Sequence, residues 1–144
     1  MNFVAKNFDE LTVYELYEIL KARTEIFLLE QNIVCQDLDG LDQISRHYFI
    51  DEDGKVLACL RAFYVDGERK VVKIGRVVTL THKQGHGRAL MDFALDDIKS
   101  KMPCESIYVN AQTQAEGFYA KMGFVTVSDV FDEDGIPHVK MILK

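Results

Sequence analysis

The first part of the chain carries a helical pattern of apolar positions. After Leu11, apolar residues recur at the three- and four-residue spacing of one helix face, at Leu16, Ile19, Leu20, Ile26 and Phe27. Glu15 stands three positions after Thr12, which is the spacing of a capping box that closes the start of a helix. The pattern therefore predicts a helix that begins after Thr12 and runs to about Glu30.

The middle of the chain has the pattern of strands separated by tight turns. Segments 47–51, 56–65 and 71–80 are rich in apolar or β-branched residues. Asp-Gly pairs at 53–54 and 66–67 separate these segments, and this dipeptide is a strong hairpin signal. We expect an antiparallel meander of three strands here.

The last third of the chain combines a long helix with shorter elements. The predicted elements are a helix over 85–101, a strand over 106–110, a short helix over 113–122, and strands over 124–130 and 139–143. An apolar stripe marks the buried face of the long helix, at Leu90, Met91, Ala94, Leu95 and Ile98. Thr113 and Glu116 have capping-box spacing, and Gly123 fits the position after a helix end. The whole order predicts one mixed α/β domain over residues 1–144.

Composition narrows the class of protein. The 144 residues carry a formal net charge of −6 with a pI near 5.2, which argues against nucleic acid as a partner. No apolar run approaches the roughly 18 residues of a membrane span, and the N-terminus has no signal layout. The three scattered cysteines form neither a disulfide framework nor a metal motif. We therefore expect a cytoplasmic protein with reduced thiols, no metal and no membrane partner.

One short segment runs against the acidic average. Residues 82–88, His-Lys-Gln-Gly-His-Gly-Arg, join a predicted strand to a predicted helix and contain no acid before Asp92. A helix start carries unpaired N–H groups and a partial positive charge, so cations there are unfavourable unless an anion binds. The segment therefore favours an anion site, most often phosphate, over a loop that is basic by chance. The segment does not match the Walker motif of nucleotide-binding loops. It does not match the dinucleotide-binding motif G-x-G-x-x-G either, because position 90 is Leu.

The loop and several other stretches resemble the GNAT superfamily of N-acetyltransferases, in its ElaA-like branch. The family signature [QR]-x-x-G-x-[GA] matches at Gly85 and Gly87, with His82 in place of Gln or Arg. A second block, Gln112 to Phe124, matches at its Ala, Phe-Tyr and Gly-Phe positions, and further similar stretches lie at 30–32, 36–40, 75–77 and 133–138. The resemblance implies a single-domain α/β GNAT-like fold with a mixed, largely antiparallel central sheet flanked by helices.

The same resemblance implies acetyl-CoA as cosubstrate and a set of contacts for it. Backbone groups of Val77, Val78 and Thr79 would bind the pantetheine arm and supply an oxyanion donor. The other implied contacts are His82, Lys83, Gln84, Gly85, His86, Gly87, Arg88, Gln112 and Phe118. Tyr119 would be the acid that protonates the departing thiolate, and the simpler alternative is a core aromatic.

The base that deprotonates the acceptor amine has several candidates. Helical spacing places Arg23 and Glu30 on the buried stripe, where a carboxylate near a helix C-terminus is electrostatically disfavoured, so Glu30 is the leading candidate. The others are Asp39, Glu133 and His138, the last of which has a core histidine as its alternative.

The acceptor site has its own candidate residues. The predicted substrate contacts are Phe27, Asp39, Arg76 and His138. Arg76 either holds a substrate carboxylate or pairs with an acid such as Asp39, and we favour the pairing.

The predicted activity is direct acetyl transfer to a primary amine of a small molecule or peptide in a ternary complex. The runner-up is a catalytically silent acyl-CoA-binding sensor or interaction module, motivated by His82 and by a loop that is short for the family. A phosphate- or nucleotide-binding domain of another kind is the weakest alternative. Acidic residues at 37–42 favour a cationic amine, and a homodimer is an open alternative to a monomer.

Overall fold

A computed structural model describes all 144 residues. The strands are β1 (Asn2–Asn7), β2 (Arg46–Glu52), β3 (Lys55–Tyr64), β4 (Val71–Thr79), β5 (Ser106–Gln112), β6 (Phe124–Thr126), β7 (Phe131–Glu133) and β8 (Ile136–Leu143). The helices are α1 (Val13–Arg23), α2 (His86–Lys101) and α3 (Glu116–Ala120), with a π-helical segment over Thr24–Glu30 that continues α1. No helix has both the length and the apolar composition needed to cross a membrane.

The strands form one mixed sheet in the order β1-β2-β3-β4-β5-β8-β6, with β7 also paired to β8. All pairs are antiparallel except β4 and β5, which are parallel and joined through α2. The predicted fold class, a mixed and largely antiparallel sheet flanked by helices, is confirmed.

The two faces of the sheet are covered unequally. The larger apolar cluster lies under α2 and α3 and contains all five predicted stripe residues of α2. A smaller cluster of seven buried residues packs α1 and the π-helical segment against β2 to β4. On that second face, the side chains of β5 and β8 are mostly half-buried and belong to neither cluster. We call this uncovered part of the sheet, on β5 and β8, the open face.

Strand β1 is the element that the sequence pattern missed. Phe3 and Ala5 pack against the larger cluster, whereas Val4 packs against the smaller one. Because both faces of β1 are partly covered, its sequence lacks the apolar and polar alternation that signals a strand.

The first helix has the predicted start and extent but not the predicted geometry throughout. Glu15 N–H donates to Thr12 Oγ1 at 3.0 Å, and Thr12 N–H donates to Glu15 Oε1 at 2.9 Å, so the capping box is confirmed. After Arg23, however, the backbone changes to π-helical bonding, which widens each turn and shifts the faces of later residues.

The region after β5 corrects two further predictions. Thr113 begins a short 3-10 turn rather than capping a helix, and the Glu116 carboxylate instead accepts a hydrogen bond from the Thr126 hydroxyl. The predicted strand over 124–130 is shorter and is followed by the separate strand β7. Gly123 has a φ of +97°, as expected for the residue that ends a helical turn.

Candidate active site

The central feature of the site is a gap between β4 and β5. Their parallel pairing stops at Ile74 and Val109, although both strands continue beyond that point. The register of β4 against β3 shifts just there, and Arg76 has a φ of +51°, which together define a β-bulge. The bulge turns β4 away from β5, so backbone groups of β4 after Ile74 face the gap without a strand partner.

A cavity of about 250 Å³ occupies this gap. Its wall includes Val77 and Gln112, predicted to contact the cosubstrate, and Phe27, Arg76 and His138, predicted to contact the acceptor. Val78 is buried under α1, and Thr79 pairs with Ala58 of β3, so only their backbone groups are available to a ligand on the β5 side.

The end of β4 leads into the first turn of α2. Gly85 occupies the N-cap position at a φ of +75°, no side chain caps the helix, and its first turn contains no acidic residue. The unpaired N–H groups at this start, from His86 onward, carry the positive end of the helix dipole. The predicted helix start without an acidic residue is present, and such a start is suited to an anion.

Gly87 is required by a close approach at the same place. A Cβ atom on Gly87 would lie 3.1 Å from Thr79 Cγ2 and 3.5 Å from Phe118 Cζ. The end of β4, the start of α2 and the start of α3 therefore converge, which brings three of the predicted cosubstrate contacts together.

The basic side chains of the loop are partly compensated. His82 Nε2 lies 2.9 Å from Glu30 Oε1, and Arg88 Nε lies 3.4 Å from Asp92. His86 Nδ1 is hydrogen-bonded to the Thr81 hydroxyl. Lys83 makes no ion pair, and Gln84 is exposed beside it. The uncompensated positive charge thus comes from Lys83 and from the helix start itself.

Tyr119 lies between the apolar core and the cavity. Its ring makes edge-on contacts with Phe118 at 5.1 Å and Phe124 at 5.7 Å, so the core-aromatic description holds. The same residue lines the cavity, and its hydroxyl makes no hydrogen bond within the chain. Burial raises the pKa of Tyr119, so the phenol keeps its proton throughout the neutral pH range.

The placement of Glu30 differs from the sequence-based expectation. Because the helix turns π-helical after Arg23, later residues rotate off the 3.6-residue face. Glu30 lies at the surface with 45% of its side chain exposed, paired with His82. The prediction that it shares the buried face of Leu16 and Leu20 is wrong, and it does not line the cavity.

Two of the alternative bases do line the cavity, next to each other. His138 Nε2 lies 3.5 Å from Glu133 Oε2, and Asn110 Nδ2 donates to Glu133 Oε1 at 3.3 Å. His138 Nδ1 lies 2.7 Å from the carbonyl oxygen of Ile136, so Nδ1 is the donor to that carbonyl and Nε2 is the ring nitrogen next to Glu133. The ring is also stacked on Phe131.

The acidic residues at 37–42 belong to an ion-pair cluster, of which the sequence predicted only the pair between Arg76 and Asp39. Its members are Arg23, Arg61 and Arg76 with Asp37, Asp39 and Asp42. Arg23 is 1% exposed and makes two hydrogen bonds to Asp42, at 2.7 and 3.1 Å. Arg61 makes two more to Asp39, at 2.9 and 2.6 Å. The available signals were an arginine on a buried helix face and another inside an apolar strand, since each requires an acid partner.

This cluster explains the state of its carboxylates. Hydrogen bonds from Arg61 hold the pKa of Asp39 well below its usual range. Burial acts to raise the pKa of Asp42, but the hydrogen bonds and charges of Arg23 and Arg61 outweigh it, so that pKa is lowered. Arg76 pairs with Asp39 at 3.2 Å, as we favoured from the sequence. The carboxylates at 37–42 are therefore not free to hold a cationic acceptor, which removes the argument for one.

The arrangement of strands and helices is that of known acyltransferases. An acyl-CoA N-acyltransferase from Pseudomonas aeruginosa superposes with a TM-score of 0.89 and 36% identity, over 100% of both chains. Escherichia coli ElaA superposes with a TM-score of 0.91 and 31% identity, over 99% of both chains. A UPF0039 protein from Schizosaccharomyces pombe is 36% identical over 148 residues, covering 100% of this chain and 97% of its own length.

The sequence also matches a known protein family over most of its length. Residues 30–144 match the family described as the acetyltransferase (GNAT) domain. The chain belongs to this GNAT acetyltransferase family, and within it is similar to ElaA, as the sequence motifs predicted.

Proposed function

We propose that the protein transfers an acetyl group from acetyl-CoA to a primary amine, with both substrates bound together. The observation that carries this proposal is the gap between β4 and β5, which opens at one end onto the uncapped, acid-free start of α2. A cosubstrate that combines a long polar arm with a pyrophosphate suits such a groove, because strand backbone and a helix start lie in line.

The residues present fit acetyl-CoA in chemical terms. The N–H groups from His86 onward, with Lys83, favour phosphate, and the backbone of Val77 to Thr79, which has no strand partner on its β5 side, favours the amide-bearing arm. When bound, acetyl-CoA supplies an acyl group already activated as a thioester. The backbone N–H groups of β4 at the bulge are the candidate donors to the carbonyl oxygen as negative charge develops on it.

Tyr119 is the proposed proton donor to the departing sulfur. Tyr119 lines the cavity, its hydroxyl has no hydrogen-bond partner inside the protein, and the phenol retains its proton at neutral pH because burial raises its pKa. A thiolate resembling that of cysteine, with a pKa near 8.5, is stabilised by a hydrogen bond from such a donor.

His138 and Glu133 form the proposed base in place of Glu30. An acceptor amine is protonated at neutral pH and must lose that proton before it can attack. His138 lines the cavity, the free lone pair of its neutral ring is on Nε2, and Glu133 3.5 Å away stabilises the positive charge that the ring acquires on taking the proton. Glu30 lies outside the cavity, so the geometry supports His138 instead.

The test follows release of free CoA thiol from acetyl-CoA with a panel of primary amines. We expect Tyr119→Phe to lower kcat about 100-fold, the low end of the range for general acid-base groups. Tyr14→Phe, at an exposed tyrosine on α1, is the matched control and leaves kcat unchanged. Unaltered turnover in Tyr119→Phe on a good substrate contradicts the acid role.

The assignment of the base is tested by comparing Glu133→Gln with Glu30→Gln, and a third glutamate variant serves as the control. Glu133→Gln lowers kcat/KM, because His138 loses the carboxylate that stabilises the charge the ring acquires on taking the proton. Glu105→Gln, at an exposed loop position, serves as the control. If Glu30→Gln loses activity while Glu133→Gln keeps it, the assignment reverts to Glu30. Binding of acetyl-CoA without turnover across the whole panel supports the silent acyl-CoA-binding module instead.

A further inference from the structure

A row of side chains crosses the open face of the sheet beside the cavity. Phe63 of β3 pairs in register with Lys73 of β4, and Lys73 pairs with Tyr108 of β5. On the next strand, Lys140 places its Nζ 4.5 Å from the centre of the Tyr108 ring. Two aromatic rings and two ammonium groups therefore lie side by side on four neighbouring strands.

Lys73 and Lys140 are partly buried and make no ion pair, whereas the third partly buried lysine, Lys6, pairs with Glu15. The arginines near the cavity are bonded to the carboxylates of the 37–42 loop, and Glu133 is engaged by Asn110 and His138. Lys73 nevertheless lines the same cavity as Tyr119 and His138, and it is only half-exposed. A partly buried cation without a counter-ion is a costly arrangement in a chain of net charge −6, unless a ligand supplies the negative charge.

We propose, as an extension of the proposed function, that Lys73 and Lys140 bind an anionic group of the acceptor, so that the acceptor is an amine that also carries a carboxylate or phosphate. The Tyr108 ring forms the floor of this subsite, and Phe63 borders it. The charge of Glu133, together with burial, raises the pKa of Tyr108, which places the subsite electrically close to the proposed base.

The spacing of the sheet also sets the length of the acceptor. Asn110, which holds Glu133, is one same-face step beyond Tyr108 on β5, and such a step is about 6.6 Å. An amine at His138 and an anion at Lys73 are thus separated by several bonds. His138 is in register with Gln112, a further same-face step along β5, so an α-amino acid is too short for both groups and we expect an ω-amino acid or a dipeptide to be preferred.

The experiment compares matched amines with acetyl-CoA held at saturation. The probes with a carboxylate opposite the amine are β-alanine, γ-aminobutyrate, δ-aminovalerate and glycylglycine, and aminopropylphosphonate carries a phosphonate there. Butylamine has an uncharged group at that end, and putrescine has a second ammonium group. We expect kcat/KM to rise along the ω-amino acid series and to exceed that of butylamine by about tenfold, the contribution of one charge-assisted bond. A higher value for putrescine than for δ-aminovalerate overturns the proposal. Carboxylate and phosphonate probes, compared with each other, identify which anion the subsite prefers.

Lysine variants separate a subsite from a merely structural role. Lys73→Gln should raise KM for δ-aminovalerate about tenfold with kcat nearly unchanged, and should leave butylamine kinetics as they are. Lys73→Arg should restore most of the loss, Lys140→Gln should act in the same direction, and Lys99→Gln on the outer face of α2 is the control. Equal losses for δ-aminovalerate and butylamine contradict the subsite.

A binding measurement keeps this proposal apart from the proposed function. Saturation-transfer NMR of δ-aminovalerate, in the presence of CoA, reports contact with the protein whether or not acetyl transfer occurs. Contact that disappears in Lys73→Gln, without turnover of any amine, supports the subsite and refutes the transferase. Turnover that ignores the anionic group, with no Lys73-dependent contact, supports the transferase and refutes the subsite.

Discussion

The starts of α1 and α2 are built in opposite ways. At α1, the side chains of Thr12 and Glu15 each accept a hydrogen bond from the other residue's backbone N–H. Lys6 also pairs with Glu15, at 3.0 Å. At α2, Gly85 offers no side chain, the first turn has no acid, and Lys83 stands nearby without a partner. The first start is satisfied by its own side chains, whereas the second has no side-chain cap and no acidic residue of its own.

The same contrast separates two groups of charges around the cavity. Six side chains of the Arg23 cluster neutralise one another and fix the 37–42 loop over the sheet. The two partly buried lysines of the open face make no ion pair: Lys73 lines the cavity, and Lys140 lies over the Tyr108 ring beside it. Around the cavity, the paired charges therefore hold the structure together, whereas the unpaired ones belong to the candidate binding surface.

Removing one compensated charge should produce the largest effect. In Asp42→Asn, the buried guanidinium groups of Arg23 and Arg61 lose the carboxylate they share, which should cost about 3–5 kcal/mol of unfolding free energy. Urea unfolding measures the change, with Asp96→Asn on the exposed face of α2 as the control. A loss no larger than that of the control would show that the cluster is not structural.

Acid should weaken the same cluster. Because the folded-state pKa values of Asp39 and Asp42 are lowered, their contribution to stability is complete above the unfolded value of about 4 and is lost as the pH falls through the folded values. Urea unfolding at a series of pH values should therefore show a steep decline below about pH 4. Asp42→Asn should decline less steeply, and parallel curves for the two proteins would contradict this account.

Weakening the uncompensated helix start should affect binding rather than folding. Lys83→Gln combined with Arg88→Gln should raise the Kd for acetyl-CoA about tenfold, since each exposed charge contributes roughly 0.5–1 kcal/mol. The loss should shrink at high salt, because screening weakens the same interaction in the wild-type protein. Titration calorimetry at two salt concentrations measures both effects, with Lys21→Gln on α1 as the control. An unchanged Kd would place the phosphates elsewhere.

Removing the cap of α1 should have the smallest effect of these changes, and it should affect folding rather than binding. Thr12→Ala removes a capping side chain and should cost about 1 kcal/mol of unfolding free energy. The Kd for acetyl-CoA should stay the same, because this helix start is not part of the groove. If Thr12→Ala also lost affinity for acetyl-CoA, the proposal that only the start of α2 takes part in binding would be contradicted.

Features fixed by local sequence could be predicted. The strand, glycine turn and helix around residues 80–101 are adjacent in the chain, so the start of α2 without an acidic residue could be predicted from the sequence pattern. The hairpin at Asp53 and Gly54 was visible for the same reason, and both residues have positive φ.

Features that depend on distant contacts could not be predicted. The bulge at Arg76 has no local signal, since a non-glycine residue adopts a left-handed backbone there beside a glycine that does not. The π-helical segment breaks the periodicity on which the position of Glu30 was based. The pairing of Arg61 with Asp39 joins residues 22 positions apart, and only the folded chain brings them together.

The central claim is that the open start of α2 binds the phosphates of acetyl-CoA while the gap between β4 and β5 holds its arm. Titration calorimetry should compare acetyl-CoA with S-acetylpantetheine, which has the same arm and thioester but no phosphate. We predict clear binding of acetyl-CoA and an affinity for S-acetylpantetheine at least 100-fold lower, because the anion site would be empty. Equal affinities for the two compounds, or no binding of acetyl-CoA, would contradict the claim.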